Sequence, residues 1–191
     1  MDGRNEASAF KGLAAGAVGG LVASWVMEVF QGYWSAVSTA RKEAEKNASQ
    51  PGEQHDQSAA EEEQPAANET GSENDPSTVK AAAAVARILF GHELAPSEKA
   101  TAGAAAHYVM GAASGGLYGV ASELLPKTTA GAGIPFGAAV WMGADNVVLP
   151  LTGLAGPMTD YPISIHIYAL ASHLVYGACT DLVRRVVRQA L

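Results

Sequence analysis

Eight ionisable or amide side chains lie inside or at the borders of otherwise apolar stretches: Glu28, His107, Glu123, Asp145 with Asn146, His166, His173 and Asp181. A charged side chain near the middle of a bilayer costs about 2.5–3.5 kcal/mol on insertion scales, so each such group needs a partner or a task. Histidine changes charge near neutrality, and a histidine–carboxylate set held in lipid is suited to sensing pH or relaying protons. Metal chemistry is the weaker reading. Glu28, His107, Asp145 and His173 are suitable ligand types, but no two share one helix at ligand spacing and there is no HExxH. Bis-histidine haem ligation by His107 and His173 fails on their offset depths. Nucleophilic catalysis lacks a GxSxG, and Ser114 and Ser172 read as packing residues. Ser172 and His173 are neighbours in sequence, which on a helix turns them in different directions. The lone Cys179 excludes an intramolecular disulfide and reads as a small buried hydrophobe. No catalytic residue, cofactor or metal is therefore assigned, and the chain is read as no enzyme.

The elements that must position these groups are apolar segments of membrane length. Residues 12–30 run apolar as far as Glu28, and about 20 such residues match a hydrocarbon core of roughly 30 Å. Tyr33 and Trp34 follow as an interfacial aromatic pair, which favours a retained helix over a cleaved signal peptide. Residues 101–125, 129–152 and 163–183 form three further spans, separated by Pro126-Lys127 and by a Gly/Pro loop at 155–161. The expected fold is all-α: a polytopic bundle of about four transmembrane helices, with a disordered acidic loop and one short amphipathic helix. The divisions are 1–34 (first span), 35–76 (disordered acidic loop), 77–99 (amphipathic helix, capped by Ser77, and its connection) and 100–191 (three spans and a basic end).

Composition supports that division. Mean hydropathy is only +0.07, but residues 41–99 hold 18 of the 31 charged side chains and residues 12–27 hold none. From Asn47 to Pro76 no aliphatic residue exceeds alanine and none is aromatic, so that stretch cannot offset its ordering entropy. The net charge of −7, without a basic stripe, argues against nucleic acid as a partner. The partner is the lipid bilayer.

Glycine spacing predicts the packing. Gly12, Gly16 and Gly20 recur every four residues, as do Gly111, Gly115 and Gly119, and Gly133 with Gly137 repeats the pattern. Small residues on one helix face let backbones approach closely, within a tight bundle or in a homo-oligomer or membrane-protein partnership. The bases Arg4, Lys11, Lys127, Arg184, Arg185 and Arg188 fall on one side of a four-span chain. That places both termini in the cytoplasm and residues 32–100 outside. On this topology Asp181 and Glu123 lie at the cytoplasmic border and pair with arginines. Glu28, His107, Asp145, Asn146 and His173 share the outer half as one intramembrane polar cluster.

The C-terminal half carries a recognisable pattern: Tyr118-Gly119, Glu123, Pro126, Gly137, Trp141, Pro150, Gly153-Leu154, then His173-Leu174-Val175-Tyr176-Gly177 with Arg184-Arg185. It resembles the YagU-like bacterial inner-membrane proteins, a family of unknown function. The resemblance implies a bacterial inner-membrane location and a helical fold, and no activity, cofactor or substrate. The family carries a histidine in its third span where this chain has Asp145. The leading expectation is a non-enzymatic inner-membrane protein with a role in envelope or pH adaptation. The alternatives are a small proton, cation or solute channel or carrier, and then a membrane metalloenzyme.

Overall fold

The computed structural model describes residues 3–49 and 75–191, and among these residues there are helices and no strand. Five helices carry the fold: α1 (Gly3–Ser49), α2 (Ser77–Phe90), α3 (Pro96–Leu124), α4 (Ile134–Leu151) and α5 (Ile163–Ala190). Two of them, α1 over Ser8–Lys46 and α4, are long and apolar enough to cross a membrane.

The glycine ladders set the packing. A methyl group at Gly12 would sit 2.6 Å from the Gly119 carbonyl oxygen, and methyls at Gly16 and Gly20 would overlap the carbonyls of Gly115 and Gly111. The pairing order is reversed, so α1 and α3 run antiparallel with backbone against backbone. α5 joins them where Gly19 meets the Thr180 carbonyl, and α4 joins α5 where Gly133 and Gly137 meet Gly177 and His173. The interior is consequently made of small and polar groups. Its largest fully buried side chains are Thr180, Asp181, Ser24 and Ser172, whereas Phe10, Leu117, Leu151 and Ile163 are each at least 70% exposed. Only 6% of α4 is buried.

Two boundaries and one cap differ from the sequence expectation. Residues 35–49, expected to open the disordered loop, continue α1. Alanine, glutamate, lysine and arginine dominate there, all good helix formers, and Arg41 and Glu45 stand four apart. Residues 50–74 of that loop lie outside the described residues. The third span begins at Ile134 rather than 129, because Pro126–Thr129 form a 3-10 turn. Gly133 is therefore the left-handed residue before α4 (φ 79°), close against the Gly177 carbonyl, and not a rung inside the helix. Ser77 begins α2 without capping it by a side-chain hydrogen bond.

Helix α2 folds back on α3 through Val79, which fills the notch left by Gly103, and Lys99 pairs with Asp75 at 2.7 Å. At the start of α3 the Ala95 N–H donates to the Glu98 carboxylate at 2.7 Å, and His92 Nε2 lies 3.0 Å from it. That backbone bond, then the histidine, hold the Glu98 carboxyl below its ordinary range. A lowered carboxyl stabilises the fold above its unfolded-state pKa, and the contribution disappears as pH falls through the folded value. Protection of the Ala95 amide, its exchange rate relative to the intrinsic rate at the same pH, is therefore expected to fall in acid. In Glu98→Gln that protection should already be low at neutral pH and change little with acidification.

Candidate functional site

A cavity of about 620 Å³ opens in the half of the bundle away from the arginines. Glu28 from α1, His107 from α3, Asp145 and Asn146 from α4, and His173 from α5 all line it, and so does His166. The packing explains the space. Below it the four helices touch through glycine. Above Gly137, α4 has no such rung against its neighbours, and Gly143 has nothing within 4 Å of where a side chain would start.

Asp145 is carried by an irregularity in α4. Residues Trp141–Val148 form a π-helix, in which Leu149 N–H donates to the Ala144 carbonyl. The Asn146 side-chain Nδ2 donates to the Trp141 carbonyl at 2.9 Å, five residues back. Pro150 follows and offers no N–H to the turn before it. Wide turns of this kind recur at functional positions, where they re-aim a side chain. Here the segment brings Asp145 Oδ2 to 3.7 Å from His173 Nδ1. That nitrogen lies 2.8 Å from the Ala169 carbonyl, which can only accept, so Nδ1 carries the hydrogen. The neutral ring then keeps Nε2 as its acceptor. At 3.7 Å the pair is no hydrogen bond, but it becomes an ion pair when the ring is protonated.

Two polar atoms of lining residues, themselves closed to the cavity, lack a partner among the described residues: Ser24 Oγ and His107 Nε2. Ser24 is fully buried in the notch left by Gly111, one step beyond the glycine ladder. Leaving such a group unpaired typically costs about 1–3 kcal/mol, which a ligand or water could recover. Elsewhere Tyr108 donates to the Glu28 carboxylate at 2.7 Å. Tyr176 donates to the Gly111 carbonyl at 2.7 Å and lies 2.8 Å from the Ser114 hydroxyl. His166 Nε2 lies 3.0 Å from the Met158 carbonyl and fastens the loop beside the cavity.

The other end of the bundle is closed by ion pairs. Asp181, 1% exposed, accepts from Arg184 at 3.0 Å, Arg185 at 2.8 Å and the Tyr118 hydroxyl at 3.0 Å. Arg188 holds Glu123 at 2.8 Å, and Ser8 donates to the same carboxylate. Lys11 reaches the carbonyl of Leu191. Sequence spacing exposes the arginines on the turn after Asp181. It gives no sign of Tyr118 or Ser8, which arrive from other helices. Among the described residues no group of three or more His, Cys, Asp or Glu could hold a metal ion.

A family model described as "Protein of unknown function (DUF1440)" matches residues 77–182, more than half of the chain. The match includes His107, Asp145, Asn146 and His173 and leaves out Glu28. No curated protein matches, and no solved structure does.

Proposed function

The chain belongs to the DUF1440 family, the YagU-like family, and from that premise we propose a non-enzymatic, four-span protein of the bacterial inner membrane whose periplasmic cavity responds to protons. One observation carries the reading: four helices each bring ionisable or amide groups to a single cavity at one end of the bundle. Lipid as the solvent is supported by the inverted packing, with hydroxyl groups and an ion pair inside and bulky apolar side chains outside. A water-soluble fold would bury a helix as apolar as α4. The orientation follows from the arginines beyond the closed end, which favour the cytoplasm.

Protonation is the natural input. When His173 takes a second proton, Asp145 gains a cationic partner and the cavity loses negative charge. That change couples periplasmic pH to the pairing of α4 with α5, which fits a role in envelope adaptation. A carrier is the second reading, favoured by a cavity open at one end and ion pairs closing the other. Proteoliposomes containing the protein should then show proton or cation flux that Asp145→Asn removes, and absence of flux in the parent protein ends the carrier reading.

The topology has its own test. In a Cys179→Ser background, Ala144→Cys in the cavity should react with a membrane-impermeant maleimide added to intact spheroplasts. Ala130→Cys at the opposite end should react only after lysis. The reverse pattern, or reaction of neither cavity nor turn, would remove the basis for this reading.

A further inference from the structure

The geometry points to a ligand class for this cavity: a primary ammonium ion on an apolar, ring-bearing body, an arylalkylamine. The inference rests on the cavity reading above and adds to it what the cavity would hold.

Charge comes first. Glu28 and Asp145 line the space, and among the described residues no lysine or arginine does. With its histidines neutral the cavity is therefore anionic. Glu28 already accepts from Tyr108, but among the described residues Asp145 has no hydrogen-bond donor, only His173 at 3.7 Å. A cation can occupy a place that no side chain fills.

Hydrogen bonding narrows the class. An ammonium group has N–H donors and needs acceptors. The Asp145 carboxylate lines the cavity with no donor within hydrogen-bond distance among the described residues, and is such an acceptor. The Ser24 hydroxyl and His107 Nε2 are unpaired too, but both are closed to the cavity and would accept only if their side chains turned toward it. A quaternary ammonium offers a carboxylate no hydrogen, whereas a primary one does. An anion would meet two carboxylates and no fixed positive charge.

Shape supplies the rest. A volume of about 620 Å³ is far larger than a metal ion needs and falls in the range of organic-ligand sites. Trp141, Tyr161 and Tyr176 put aromatic surface on the wall, and Met27 and Met110 add polarisable apolar surface. Aromatic faces attract organic cations, and methionine adapts to irregular apolar bodies.

Protons should compete with the amine. The titratable groups facing the site are Glu28 from α1, His107 and Tyr108 from α3, Asp145 from α4, and His166 and His173 from α5. Tyr161 in the loop and Tyr176 on α5 complete the set. A proton added to His173 would give Asp145 a cationic partner, and one added to His107 would remove its acceptor. The amine itself stays protonated on acidification.

The test uses the full chain in zwitterionic nanodiscs, with calorimetry and empty discs as the control. The probes are 2-phenylethylammonium, the neutral 2-phenylethanol and the anionic 3-phenylpropionate. Saturable binding is expected for the ammonium ion alone, weakening about tenfold or more in Asp145→Asn and in Glu28→Gln. A similar loss is expected between about pH 8 and about pH 5.5. Thermal melting of each variant separates lost binding from lost folding, and Glu28→Gln, at an exposed position, keeps the test usable if Asp145→Asn fails to fold. Equal binding of the three probes, or unaltered binding in a folded Glu28→Gln, overturns the amine assignment. If Ala144→Cys is labelled and the ammonium does not saturate, the ligand class falls while the cavity reading stands. If the labelling itself fails, both fall together.

Discussion

Gly115→Leu is expected to abolish the folded bundle, while Gly32→Leu should melt within a few degrees of the parent protein. A side chain starting at Gly115 would begin 2.5 Å from the Gly16 carbonyl oxygen and 2.8 Å from the Gly20 Cα. Overpacking a core usually costs about 1–3 kcal/mol because side chains can move aside. Here the obstacle is backbone on the facing helix, so α1 must leave α3 altogether. Its departure would also undo the fit of Gly12 against Gly119 and of Ser24 against Gly111. Gly116→Ala is the graded control, since its nearest neighbour is the end of the Leu13 side chain at 3.0 Å, which can rotate away. At Gly32 nothing lies within 4 Å, and replacing glycine there favours the helix by about 0.5–1 kcal/mol. Gel filtration in mild detergent and thermal melting would check the series. A monodisperse Gly115→Leu with parental melting would show that α1 and α3 do not pack as described.

These glycines were legible in sequence because a four-residue period of small residues has few other causes in an apolar stretch. Gly19 and Gly177 were not, although each meets a neighbouring backbone just as closely. Gly19 falls off the period, and Gly177 stands alone. Glu28, His107, Asp145, Asn146 and His173 line one cavity, and the sequence groups them by the order expected of the spans and the side expected of the arginines. How Asp145 is aimed was hidden. A π-turn leaves no periodic signature, and Pro150, its one local sign, reads equally well as an ordinary helix end. The extension of α1 to Ser49 was missed for a different reason. A stretch without large apolar residues cannot build a core, yet good helix formers can prolong a helix already nucleated by its packed half. Ser24 looked like one more small residue in the ladder, and only the facing Gly111 shows that its hydroxyl is enclosed without a partner.

Asp181→Ala is the second change with a large expected effect, about 3–5 kcal/mol of lost stability, the usual result of stranding one member of a buried ion pair. Arg184 is 6% exposed, and its Nε already lacks an acceptor. Without Asp181 it keeps, among the described residues, the face of the Tyr118 ring, 5.7 Å from the guanidinium carbon, and the longer-range attraction of Glu123. Arg185 is about half exposed and can turn to water, so it should contribute little. Tyr118→Phe removes one neutral donor from a carboxylate that retains two cations, and should cost about 1 kcal/mol. Glu123→Gln should be mild for the same reason that surface pairs are weak, because Arg188 is partly solvated. The double variant Asp181→Leu with Arg184→Met distinguishes charge burial from packing. If the cost is the stranded guanidinium, replacing both partners by apolar side chains should recover most of the stability. Thermal melting in detergent reads all four variants. Parental melting of Asp181→Ala, or a double variant worse than the single, would mean that stranding the guanidinium beside Asp181 is not what limits stability at this end of the bundle.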